Sequence, residues 1–382
     1  MFRPQIQKSS TLIAMATVTM FTIFWMTNSI EFIPENNLEE KKVATKTMST
    51  FIESINKIPG NIKDENDIYS SGLIGLEYSE ITSIVDDPEK SFLKSKIACT
   101  HPNFSALIVN LFNESELKKG DTIAVSMTGS LPGANIALLA ACHSFDITPI
   151  IISSVASSAW GVNKKNLTWI DIESHLYNDG VIDYDYKSKA VSIGGKGDVG
   201  DNLTEEGIVI LEESIIRNDL QLINEDTLEK NINKKIGIYS QYLPIENYRA
   251  FINIGGNSSS IGMGGVEKDT MRVGVIFPIE RNDMIEENNN FKNSIANHFL
   301  NNDVVFINIK NIAKLSTPWE LYPPDISIEN NVGRLFYSQE PFTIITILIS
   351  LMINIIIISV IGLQSHYEIK KRMQNEEYDS IL

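Results

Sequence analysis

Two uncharged apolar runs, one near each end, limit the folds open to this 382-residue chain more than anything between them. The first is residues 11–30, TLIAMATVTMFTIFWMTNSI; the second is residues 342–363, FTIITILISLMINIIIISVIGL. About 20 consecutive apolar residues cross a hydrocarbon core of roughly 30 Å as a helix. The second run meets that length outright and is too long and uncharged for a buried core helix. The first reads as a retained anchor, with a cleaved signal peptide as the alternative. Arg3 and Lys8 would then be its basic n-region, but no small-x-small cleavage site lies in its exit, Asn28-Ser29-Ile30-Glu31.

Flanking charge sets the expected orientation. Arg3 and Lys8 precede the first run, and Glu31, Glu35, Glu39 and Glu40 follow it; Glu340 precedes the second, and Lys370, Lys371 and Arg372 follow it. By the positive-inside rule both termini are expected in the cytoplasm, with the large middle region extracytoplasmic on the cytoplasmic (inner) membrane. The expected organisation is a cytoplasmic N-terminus (1–10), a transmembrane helix (11–30), a membrane-proximal helix and stalk (31–67), an extracytoplasmic α/β domain (68–341), a second transmembrane helix (342–363) and a cytoplasmic tail (364–382). A hydrophilic region tied at both ends cannot leave its membrane, which suits a fixed accessory of a membrane machine.

Composition narrows the function classes. At 43% hydrophobic and 21% charged the chain is an ordinary folding sequence. Its 48 acidic against 32 basic residues, net −16, argue against a nucleic-acid binder. Two cysteines, Cys99 and Cys142, exclude a disulfide-stapled mini-domain and a multi-cysteine zinc site, and both are expected as buried free thiols. The five histidines do not pair at metal-ligand spacing.

The middle region alternates strand and helix patterns. Thr122 to Met127 reads as a buried strand, Thr128 to Gly133 as a turn, Ala134 to Phe145 as a helix apolar nearly all round, and Ile147 to Val155 as a second strand. Strand, glycine turn, buried helix, strand is a βαβ unit with parallel strands. Helices are expected at 35–58, at 88–117 with a break at His101-Pro102, at 168–178, and at 204–217 with Thr204 as N-cap. AFINI (250–254) and 271–277 and 303–309 read as further strands, with 284–299 helical. The expected fold is α/β, a mostly parallel sheet with flanking helices in an extracytoplasmic domain, plus one transmembrane helix at each end. A two-lobed version split near 180–235 is the alternative.

In open α/β sheets, ligands bind where the turns leave the carboxyl ends of the strands. Three such turns qualify: 126–132, with Ser130 expected as N-cap and Pro132 in the first helical turn; 153–163, SSVASSAWGVN; and 255–262, GGNSSSIG. The expected ligand-binding residues are Ser126, Thr128, Gly129, Ser130, Asn135, Ser157, Ser158, Trp160, Gly255, Gly256, Asn257 and Ser258. A helix start with free N–H groups suits a carboxylate or phosphate; the same turns also serve as plain helix caps. No Walker or G-x-G-x-x-G motif is present, so no cofactor is expected. Nucleophilic candidates are weaker, since no G-x-S-x-G elbow exists. Ser126, Ser130 and Ser158 are the serines to weigh, with Ser130, Asp171 and His175 as the weak catalytic set, because Asp171 and His175 are four apart on one helix face. The loop GGKGDVGD (194–201) has oxygens for a cation but not the EF-hand order, so a mobile surface loop is expected and no metal.

Several segments together resemble a known family. They are SSGLIGLEYSEIT (70–82), GDTIAVSMTGSLPGANIALLAA (120–141), PIIISSVASSAWGVN (149–163), TWIDIE (168–173), VSIGGKGDVGDNLTEEG (191–207) and FINIGGNSSSIG (251–262). In this order they are similar to the poly-gamma-glutamate system protein family, over roughly residues 68–280. The resemblance implies a membrane-anchored accessory of poly-gamma-glutamate capsule synthesis or export, with the membrane subunits of the synthase complex, and the polymer itself, as partners. It names a pathway and no reaction, and it transfers no catalytic residue. The alternative is an extracytoplasmic hydrolase or transferase acting on gamma-glutamyl bonds in the same turns.

Overall fold

The computed structural model describes residues 9–61, 63–83, 91–263, 271–323, 329–340 and 343–379. Arg3 and Lys8, the start of the helix expected from residue 88, and the first residue of the second apolar run lie outside them. The chain divides into two compact units. One joins the two chain ends, through Pro34 and from Tyr337; the other is Glu35–Phe336.

The terminal unit begins with α1 (Ser9–Thr27) and β1 (Glu31–Pro34). In the second unit, α2 (Leu38–Ile55) is amphipathic. Ala44, Met48, Phe51, Ile52 and Ile55 form its buried face. Expected as a membrane-proximal helix leading to a stalk, it lies in the core of the α/β unit, because spacings of three and four residues put those side chains on one stripe.

The α/β unit is built on β2 (Thr122–Thr128), β3 (Thr148–Ser154), β4 (Ala190–Ser192), β5 (Leu222–Ile223), β6 (Ala250–Ile254), β7 (Gly274–Ile276) and β8 (Val305–Ile309). They form a single sheet in the order β5-β4-β3-β2-β6-β8-β7, parallel except for β7, which pairs antiparallel with β8 at the edge. The sheet is continuous through the 180–235 region, so the two-lobed alternative does not hold. β2 and β6 are buried along nearly their whole length, which is why they read as unbroken apolar runs.

Both faces are covered. On one, α4 (Asn103–Glu114) and α5 (Pro132–Phe145) pack with α2, while α3 (Ser91–Thr100) lies on the start of α5. That approach needs a glycine: a Cβ at Gly133 would stand 2.6 Å from the Cys99 carbonyl carbon. The expected break at His101-Pro102 falls between α3 and α4. Around the sheet follow α6 (Trp169–Asn178), α7 (Glu205–Arg217), α8 (Leu228–Tyr242), α9 (Ser258–Ile261), α10 (Arg281–Glu287), α11 (Ile295–Leu300) and α12 (Ile312–Ser316). The helix expected over 284–299 is interrupted by a 3-10 turn at Asn289–Asn293. Against the other sheet face, Tyr239 of α8 and Phe299 of α11 meet Phe251, which also stacks on Phe306; the Phe251 and Phe299 rings stack at 4.8 Å. Each such aromatic contributes about 1.5–3 kcal/mol by burial.

The chain closes with β9 (Tyr337–Glu340), antiparallel to β1, and α13 (Ile344–Asp379). Ser10–Thr27 and Ile344–Lys371 are long and apolar enough to span a membrane, at mean hydropathy 1.5 and 2.9. Within this unit Thr19 Oγ1 donates to Asn354 Oδ1 (2.8 Å), and Asn354 Nδ2 donates to Thr22 Oγ1 (3.0 Å).

Candidate functional site

β2 is the first strand of the sheet, and the chain returns to its opposite side only at β6. The carboxyl ends of β2 and β6 therefore flank the topological switch point, where α/β sheets bind ligands. In this protein the two turns close on each other. Gly255 has φ +90, and a Cβ there would lie 2.7 Å from Thr128 Oγ1. Parallel register places Thr128, Ser154 and Ser192 side by side on β2, β3 and β4. Neighbours in register point to the same face, so the edge carries a row of hydroxyls.

That row is filled from within. Asn257, the N-cap of α9, accepts from Ser259 N–H and Oγ–H and donates through Nδ2 to Ser154 Oγ. Ser260 donates to Ser126 Oγ at 2.6 Å. Lys235 of α8 reaches Asp198 Oδ2 (2.6 Å), Ser259 Oγ (2.9 Å) and Ser192 Oγ (3.0 Å), while Ser192 donates to Asp198 Oδ1 (2.7 Å). Both charged side chains are at most 1% exposed. An ammonium has three N–H donors, and each has its acceptor here. The 194–201 segment, expected as a mobile surface loop, instead buries Asp198. It does so through a run of left-handed residues: Gly194, Gly195, Gly197, Asp198 and Gly200 all have positive φ.

A second cluster sits where α3 meets the start of α5. Lys96 is buried at 3% exposure. Its Nζ contacts the Ser130 carbonyl oxygen and lies 2.9 Å from Ser158 Oγ. Ser158 N–H donates to Ser130 Oγ at 2.9 Å. Among the described residues no carboxylate pairs with Lys96. Burial pushes its pKa down from the ordinary lysine value to about 7, the Cys99 thiol one turn away opposing this weakly. Ser130 and Ser158 are partly exposed, so the hydroxyls sit at the surface and the amine beneath them.

The loop carrying Ser158 is held from several sides. Ser157 Oγ and Val162 N–H both donate to the Gly129 carbonyl (2.9 Å each), and Gly129 N–H donates to Ser154 O (3.1 Å). Trp160, at φ +63, exchanges backbone bonds with Gly75 and Leu76, and Asn163 bonds both backbone groups of Leu76. Asn135 is fully buried; its Nδ2 donates to Thr128 O, and its Oδ1 has no partner among the described residues.

The structure thus brings the first two turns together through Ser130, Ser157 and Ser158. It ties the third to them through Gly255, Asn257 and the hydroxyl row; Ser258 is buried at the start of α9, and Gly256 is partly exposed. Ser130 is not the N-cap of α5. Leu131 occupies that position with no side-chain cap bond, since a proline at N1 fixes the cap one residue before it. Asp171 and His175 do not meet these serines or each other. Asp171 caps α6 in a box with Thr168 and binds Arg217 and Asn218. Burial there opposes ionisation, but the bonds from Arg217, Thr168 and Asn218 prevail and hold the carboxyl below its usual range. His175 Nε2 bonds the Ser54 carbonyl at 2.9 Å. Cys99 and Cys142 are buried free thiols, and burial pushes both up. Among the described residues no three His, Cys, Asp or Glu side chains are placed to hold a metal ion.

Sequence reasoning missed Lys96, Lys235 and the role of Asp198. Lys96 lies in SFLKSKIACT, where only its spacing to Ala98, Cys99 and the α5 glycine hints at burial. Comparison of the chain with protein-family models, curated proteins and solved structures finds no match.

Proposed function

We propose that this protein is a two-anchor membrane accessory of poly-gamma-glutamate synthesis or export. Its α/β unit would lie outside the cytoplasmic membrane, with both termini inside, and would engage the emerging polymer or the membrane subunits of the synthase. The observation that carries this reading is the meeting of the family-like segments in one place. Apart from 168–173, they converge on the carboxyl edge of the sheet: 70–82 is stitched to 157–163, Glu80 O accepts from Thr204 Oγ1, and 251–262 locks onto the ends of β2 and β3. A set of separate sequence resemblances that fold into one neighbourhood behaves as a single functional unit.

The acidic domain repels a polyanion within about a Debye length, roughly 8 Å at physiological salt. That suits guidance of a chain outward better than its storage. The test is a strain lacking this gene, with poly-gamma-glutamate assayed separately in cytoplasm, membrane, surface and medium. Loss of surface polymer is the expected outcome, and the fraction where material accumulates separates synthesis from export. Unchanged amount, length and location would refute the proposal.

A further inference from the structure

We propose that Ser158 and Lys96 form a serine–lysine acyl-transfer site whose substrate class is the gamma-glutamyl amide bond; the choice of substrate, though not the dyad, rests on the function proposed above.

Hydrogen-bond bookkeeping decides the state of Lys96. The Ser130 carbonyl can only accept, so one N–H of Lys96 is committed to it. The second contact is Ser158 Oγ, whose sole partner among the described residues is this amine. Among the described residues, a protonated Lys96 would hold a buried charge with no carboxylate and a third N–H without an acceptor, which is costly. A neutral Lys96 donates to Ser130 O and presents its lone pair to the Ser158 hydroxyl. Both groups are then satisfied, and the serine proton already points at its base. Burial acts in the same direction. Lys235 is the contrast: it has three acceptors, one of them the Asp198 carboxylate.

The surroundings suit a nucleophile. A reactive serine needs a base within hydrogen-bond reach and a rigid seat. Ser158 has the base at 2.9 Å and a seat made by Gly129, Ser130, Leu76 and Asn163. It is partly exposed while Lys96 is buried, so a substrate carbonyl approaches from solvent and the base stays dry. Ser130 is the positioning residue: its carbonyl orients the amine, and its Oγ fixes the Ser158 backbone. Serine–lysine pairs are a known variant of the serine–histidine arrangement.

The step balances without a cofactor. Ser158 Oγ bonds to the amide carbonyl carbon as its proton passes to Lys96 Nζ. The C–N bond then breaks, and that proton leaves with the amine. Water, or the amine of another glutamyl chain, then bonds to the acyl carbon as its proton passes to Lys96 Nζ; the ester C–Oγ bond breaks, and Lys96 returns that proton to Ser158 Oγ.

The test uses the full-length protein in detergent and a fluorescent alkyl fluorophosphonate, which captures activated serines whatever their substrate. Expected is labelling on the peptide containing Ser158. Its rate should rise about tenfold per pH unit below pH 7 and level off above it, as neutral Lys96 accumulates. Ser158→Ala should abolish labelling. Lys96→Met should lower the rate at least 100-fold with the thermal midpoint kept, since a thioether of similar length fills the buried site without charge and accepts no proton. A wild-type protein that stays unlabelled from pH 6 to 9, or labelling that survives Ser158→Ala, overturns the dyad, and neither result depends on how the lysine variant folds. Purified poly-gamma-glutamate is then added and its length followed. Shortening or transfer that vanishes in Ser158→Ala supports the substrate class; Ser158-dependent labelling with the polymer unchanged keeps the dyad and refutes that substrate.

Discussion

Removing one partner of the Lys235–Asp198 pair should cost far more than removing both. Asp198→Asn leaves an ammonium with two hydroxyls and an amide in a site where the lysine is 1% exposed. Lys235→Met leaves a carboxylate facing Ser192 and a thioether. Breaking a buried pair in this way typically costs about 3–5 kcal/mol, because the remaining charge is neither hydrated nor compensated. The double variant Asp198→Asn/Lys235→Met leaves no charge behind. Its cost should fall well below that of either single variant, giving a coupling of roughly 3 kcal/mol or more. The Asp198 backbone sharpens the expectation: φ +63 is an unfavourable conformation for a non-glycine residue, held in place by the bonds that its side chain makes.

The assay is urea unfolding of the full-length protein in detergent, followed through the fluorescence of Trp169, which is fully buried beside the sheet. Four proteins complete a double-mutant cycle. If the single costs add to the double cost within about 0.5 kcal/mol, the two groups behave as independent sites. The account of the pair as the lock of the strand edge would then be refuted. The same holds if either single variant costs under about 1 kcal/mol.

Two further outcomes follow from other parts of the molecule. Glu173 is fully buried, and burial, only partly offset by bonds from Ser188 Oγ (2.8 Å) and N–H, pushes its pKa from 4.5 up to about 7. A raised carboxyl pKa means the fold prefers the protonated acid, so its contribution is complete below about pH 4.5 and is lost as pH rises through 7. Glu173→Gln should therefore flatten the fall in thermal midpoint between pH 5 and 8 and add up to roughly 3 kcal/mol at pH 8; equal slopes for the two proteins would discard this account. In the terminal unit, Asn354→Leu removes the bonds to Thr19 and Thr22. Bonds of this kind between helices in a membrane are worth about 0.6–2 kcal/mol, so energy transfer between dyes at the two chain ends should fall, and unchanged transfer would refute a role for Asn354 in holding the two helices together.

The parts of this fold legible in the sequence are those with local causes. The 342–363 run is legible because a helix of that length and apolarity is long enough to span a membrane. TIAVSMT and AFINI are unbroken because both faces of a central parallel strand are covered. Thr204 was legible as a cap because its partner, Gly207 N–H, is three residues away. The misreadings have non-local causes. GGKGDVGD looks like a surface loop until Lys235, 37 residues on, supplies the charge that draws Asp198 inward. The α2 pattern fits a membrane-proximal helix as well as a core helix; the difference lies in α4 and α5. Ser130 is the exception, a local error: Pro132 already indicated Leu131 as the cap. Among the expected site residues, the serines of the three turns do gather at one edge. Asp171 and His175 are committed elsewhere, to Arg217 and to the Ser54 carbonyl.

The contrast between Lys235 and Lys96 explains why chemistry would sit at Ser158 and not at the switch point itself. At the switch point the fold supplies its own ligands: Ser192, Ser259 and Asp198 saturate Lys235, and Asn257 occupies Ser154. An incoming carboxylate would have to displace a buried ion pair, at a cost of several kcal/mol. At Lys96 the described residues supply one fixed acceptor and one hydroxyl, and no charge. A buried amine left in that state gains by staying neutral, and a neutral amine beside a serine is a base. The closed network and the open pair are therefore complementary. The first fixes the ends of β2, β3, β4 and β6 in register, and that rigidity holds Ser158 within 3 Å of Lys96 without any contribution from a substrate.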